Sequence, residues 1–97
     1  MLFGGHRPTC VLVESDVLIK TGEGKLCGLL VVGGSAVTNI ILYDNTVASG
    51  TVVFDGSAPI NSISPLVSFA DFQGKDFETG LYADITTTGG RVYAWYI

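Results

Sequence analysis

Along this chain apolar and polar positions alternate over short stretches, and glycine, proline, asparagine and aspartate punctuate the gaps between them. A period of two is the signature of strands, whose successive side chains point to opposite faces. CVLVE (10–14) and VLIK (17–20) read as two strands, or as one strand broken at Ser15 and Asp16. TGEGK follows as a turn, since Gly22 and Gly24 permit positive φ. KLCGLLVV (25–32) is apolar on both faces, the pattern of a central strand covered on each side, and Gly28 marks a bulge or a close backbone approach within it. In TNIILYD (38–44), Ile40 and Leu42 share one face and Ile41 and Tyr43 the other. In TVVFD (51–55), strict alternation sets Val52 and Phe54 against Thr51, Val53 and Asp55. Asp44-Asn45 and Asp55-Gly56 read as chain reversals, because short polar side chains bond nearby backbone groups.

Further on, Pro59 and Pro65 belong in loops or on an edge, since proline donates nothing to a ladder. A short strand is expected over 66–69, then a polar loop over 71–80 anchored by Phe72 and Phe77. GLYADIT alternates again, with Leu81, Ala83 and Ile85 facing one way and Tyr82, Asp84 and Thr86 the other. TTGG reads as the final hairpin turn. In the closing RVYAWYI, Val92, Ala94 and Tyr96 oppose Tyr93, Trp95 and Ile97, so both faces of the last strand are apolar. A helix of ordinary length would have to cross glycine or a β-branched cluster almost anywhere. The expected fold is therefore all-β: a small antiparallel β-sandwich or jelly-roll-like barrel of seven or eight strands over residues 10–97, with a short N-terminal arm over 1–9.

Composition sharpens one point. The 97 residues suffice for one core, and only 14% of them are charged, so polar cover is scarce for a small domain. Some surface is expected to be covered by other protein. The net charge is −4, and the basic residues Arg7, Lys20, Lys25, Lys75 and Arg91 are scattered, which argues against nucleic acid as a partner. The longest apolar run, Leu26–Val32, is too short for a membrane helix. MLF is followed at once by GGHRP, too short for a signal peptide. Cys10 and Cys27 match no metal or redox spacing, and Cys27 reads as a small buried hydrophobe.

Catalytic chemistry finds little support. His6 is the sole histidine and stands in the arm, and no serine sits in a G-x-S-x-G elbow. Asp71, Asp76 and Glu78 place three carboxylates close together, but their spacing is not that of an EF-hand and Lys75 lies among them, so a solvated loop is the better reading. Turn capping accounts for Glu14 with Asp16 and for Asp44 with Asp55. No helix follows the glycine pairs to receive a phosphate. No catalytic residue, metal ligand or cofactor is expected, and the protein reads as non-enzymatic.

The aromatic residues carry the expectation instead. Tyr82, Tyr93, Trp95 and Ile97, with Leu2 and Phe3 of the arm, are the candidate contacts with a second polypeptide. If the last two strands form a hairpin, Tyr82 or Leu81 stands beside Tyr93 and Trp95. Core packing and a sugar-stacking platform are the competing readings of the same rings. Closed cyclic self-association, as dimer or trimer, follows as the default for such a face.

Three stretches also carry a family likeness: SDVLIKTGEGKLCGLLVVGG, NIILYDNTVASGTVVFDG and DFETGLYADITTTGGRVYAWYI. They resemble a group of small β-sandwich structural proteins of tailed bacteriophage virions, of the capsid decoration or cement kind. The likeness runs from near Val17 to the end through Lys20–Leu26, Ile40–Val52 and Phe77–Tyr82. It implies a non-enzymatic virion component on the capsid exterior, bound as a symmetric oligomer to the major capsid protein or another virion protein. The alternative within the same group is a tail- or fibre-associated protein with a carbohydrate- or receptor-binding aromatic face. The arm with His6 and Cys10 departs from the group's usual polar opening.

Overall fold

The computed structural model describes residues 8–64, 67–68 and 75–97. Among them are nine strands: β1 (Thr9–Val13), β2 (Val17–Thr21), β3 (Gly24–Val32), β4 (Thr38–Asp44), β5 (Thr51–Ala58), β6 (Val67–Ser68), β7 (Lys75–Phe77), β8 (Gly80–Thr86) and β9 (Arg91–Tyr96). No described segment is helical. One sheet runs β1-β9-β3, with β6 and β7 both pairing along the outer edge of β3; the other runs β2-β8-β4-β5, and all pairs are antiparallel. With β6 and β7 counted as one interrupted strand, each sheet has four positions. The pairing is then that of a long hairpin rolled upon itself, a jelly roll.

Inward-facing residues of the two sheets interdigitate as one core. The first sheet supplies Val13, Leu26, Leu29, Val31, Phe77, Val92 and Ala94, and the second Ile40, Leu42, Val53, Ala58, Leu81 and Ala83. The alternations expected in 38–44, 81–86 and 91–96 therefore point as the sequence implies. Among the described residues Thr38 is the buried polar one, and its hydroxyl meets that of Thr87 at 2.6 Å.

Several expectations are corrected. The last two strands do not form a hairpin: β8 pairs with β2 and β4, and β9 with β1 and β3, so the TTGG segment carries the chain from one sheet to the other. Asp55-Gly56 is not a reversal, because β5 runs on to Ala58 with Gly56 opposite Ile40. Alternation also breaks in β5, where Leu42 faces Phe54 but the next residue, Tyr43, faces Val52. Val53 is thus the extra residue of a bulge, which lets both Val53 and Phe54 pack inward and turns Val52 out. Finally, the segment expected as a polar loop over 71–80 contains β7, which buries Phe77 against the core.

Asp44 does not cap its own turn. Its carboxylate accepts the backbone N–H groups of Glu78 (2.9 Å), Thr79 (2.8 Å) and Gly80 (3.4 Å), tying the end of β4 to the β7–β8 turn. These bonds, led by that from Thr79, outweigh desolvation and hold its pKa below the ordinary aspartate value. Asp16 likewise accepts from the N–H of Ile85 at 2.9 Å, pinning the β1–β2 corner to β8. The local reversal after β4 belongs to Asn45, which donates to the Ser49 carbonyl at 2.9 Å.

Candidate functional site

Strand pairing assembles the aromatic residues of β9 into an outer face on the first sheet. Cys10 and Gly28 flank Trp95, Leu12 and Leu30 flank Tyr93, and Val32 stands beside Arg91. Because Val92 and Ala94 point into the core, these partners all point away from it. Tyr93, Trp95 and Leu30 are half-buried, Leu12 is 47% exposed, and Ile63, bridged to Val32, is 67% exposed. The face is therefore a contiguous apolar surface on the outside of the sandwich.

Its internal contacts keep it in shape. A bulge at Cys27 shifts the β3–β9 register so that Gly28 falls opposite Trp95. A Cβ built on Gly28 would lie 3.6 Å from the indole, so the ring covers glycine backbone where another residue would present a side chain. Arg91 donates from Nε to the Tyr93 hydroxyl at 3.0 Å, and its guanidinium stands 5.8 Å from the Tyr93 ring centroid, a cation–π contact. The charge nearest these rings is thus already engaged.

The candidate contacts do not all lie together. Tyr93 and Trp95 share this face. Tyr82 lies on the outer face of the second sheet, across the sandwich from them, beside Leu18 and Tyr43. Tyr96 packs against the core. Ile97 exchanges backbone hydrogen bonds with Lys25 (2.9 and 3.1 Å) and lines a cleft of about 440 Å3 at the end of the sandwich. Leu2 and Phe3 lie outside the described residues, as do His6 and Asp71. Leu12 and Leu30, which complete the face, were absent from the sequence-based set. The outward pattern of CVLVE was legible, but not that it adjoins the last strand.

The cleft at Ile97 has mixed charge, from Lys20, Glu23, Lys25, Asp76 and Glu78. Lys25 and Asp76 form an ion pair at 2.6 Å, with both side chains well exposed, so it contributes little to stability. Among the described residues no cluster of three or more His, Cys, Asp or Glu is placed to hold a metal ion. Both cysteines are free: Cys10 is exposed on β1, and burial raises the pKa of Cys27 against the opposing influence of Lys25. No protein-family model matches the chain, and no curated protein or solved structure matches it significantly.

Proposed function

We propose that the protein is a non-enzymatic structural component of a tailed-phage virion that attaches to the capsid exterior as a symmetric oligomer and reinforces the shell. The observation that carries this reading is the outer face of the first sheet, where Leu12, Leu30, Tyr93 and Trp95 form an apolar surface that the described chain leaves partly uncovered. Large rigid rings bury much area at small entropic cost, which makes such a face an effective anchor for a neighbouring polypeptide. The small share of charged residues and the virion-protein likeness of the sequence support the same reading. A cement protein acts by adding binding free energy across lattice joints. Several modest contacts held by one symmetric oligomer combine into firm attachment.

The test is co-sedimentation with assembled, expanded shells and, separately, with unassembled coat subunits, alongside light scattering of the pure protein. An oligomer of two or three chains that binds shells in preference to subunits is expected. Binding confined to a tail fraction overturns the capsid assignment, and a strict monomer overturns the self-association.

A further inference from the structure

The outward face of the second sheet is graded row by row. Leu18, Tyr82, Tyr43 and Val52 form one row across all four strands. Asp84, Ile41 and Asp55 form the next, and Thr86, Asn39 and Ser57 the third. Leu18 and Val52 are 38% and 45% exposed, and the two tyrosines between them are half-buried. The side chains of Tyr43, Tyr82, Asp55, Asp84, Asn39 and Ser57 make no hydrogen bond or ion pair with another described residue. Rings and unengaged polar groups thus share one surface, unlike the first sheet, where Arg91 is spent on Tyr93.

The polar part of this face dips slightly. Asn39, Ile41, Asp55 and Ser57 line a shallow depression that lies open to solvent. Ile41 is two residues from Tyr43 on the same strand face, so the depression adjoins the tyrosine row.

The chemistry narrows the occupant. Two carboxylates and no lysine or arginine in these rows repel phosphate and nucleic acid. A purely apolar protein surface would bury Asp55 and Asp84 without partners, which is unfavourable. A sugar ring has the complementary make-up: an apolar C–H face to lie on an aromatic ring, and hydroxyls that both donate and accept. We propose that this face binds neutral carbohydrate, with Tyr43 and Tyr82 carrying the ring face while Asp55, Asp84 and Asn39 hydrogen-bond the hydroxyls. The site does not depend on the virion reading, since it lies on the opposite side of the sandwich from Trp95.

The experiment is to probe the full chain against immobilised neutral polysaccharides and oligosaccharides (glucans, galactans and mannans), then to titrate the best binder by calorimetry. Binding is expected, and it should fall about tenfold or more in Tyr82→Ala and in Asp55→Asn. Glu23→Gln, in the β2–β3 turn, should keep it. Asp55→Asn preserves shape and so guards against a folding defect in the tyrosine variant. The proposal is overturned if no neutral glycan is retained, if both variants bind as well as the parent, if binding is lost only in Trp95→Ala, or if polylysine alone is captured by this face.

Discussion

Trp95 stands directly across from Gly28 in the β3–β9 ladder, and a Cβ at 28 would already lie in van der Waals contact with its indole, at 3.6 Å, leaving little room for a longer side chain. On the other side the same added Cβ would come within 3.2 Å of the Val67 carbonyl. Gly28 thus sets both the height of the indole on the outer face and the approach of β6. Gly28→Val should lower stability by about 1–3 kcal/mol through overpacking. It should also shift the emission of the sole tryptophan to the red as the ring is pushed into water. Chemical denaturation followed by fluorescence measures both effects, and Gly28→Ala should show a smaller change in each.

Leu12 lies opposite Tyr93 on the edge strand β1 and is already 47% exposed, so its folding contribution is small. Leu12→Glu should cost no more than about 1 kcal/mol of stability while placing a charge on the face assigned to assembly. Light scattering should then show the proposed oligomer falling to monomer, with an unchanged circular dichroism spectrum. Persistence of the oligomer would move the interface elsewhere on the molecule.

The two thiols should behave differently toward a maleimide. Cys10 is exposed and neighbours Trp95 across the ladder, whereas Cys27 is buried with its pKa raised, which disfavours the reactive thiolate. One equivalent should react in the native protein and the second only after unfolding, as mass spectrometry would read. A bulky label on Cys10 should also weaken assembly, because it stands on the same face as Leu12.

Asp44 makes stability depend on acid. Its carboxyl is depressed mainly by the N–H of Thr79, helped by those of Glu78 and Gly80 and opposed by desolvation. A depressed folded-state pKa gives stability that is present above the unfolded value and lost as pH falls through the folded one. Melting curves should therefore show a loss of stability below the ordinary aspartate range. Asp44→Asn should flatten that part of the profile. Asp44→Ala should cost about 1 kcal/mol at neutral pH, the scale of a lost cap.

Several features of the fold are legible in local pattern. The inward set Ile40 and Leu42, the set Leu81 and Ala83, and the set Val92 and Ala94 all follow from a period of two. The burial of Cys27 and the irregularity at Gly28 are likewise written in KLCGLLVV. The bulge at Val53 is not, because TVVFD alternates acceptably either way. The choice is made by the packing of Val53 and Phe54 together against the opposing sheet. Asp44 was read as a local cap because sequence shows neighbours only, while its actual partners, the N–H groups of Glu78, Thr79 and Gly80, lie 34 to 36 positions away.

The candidate face divides in the same manner. That Tyr93 and Trp95 share a side opposite Val92 and Ala94 is a matter of covalent geometry, since consecutive side chains of any strand diverge. Sequence alone therefore determined an all-β chain whose last strand is apolar on both sides. Which strands sit beside it was decided only by the rolled topology, which sends β8 and β9 to different sheets. That parts Tyr82 from Trp95 and brings Leu12 and Leu30 to Tyr93. The reason is physical: strand pairing is a non-local choice, settled by how the whole set of apolar faces can be buried at once, and no short window of residues contains it.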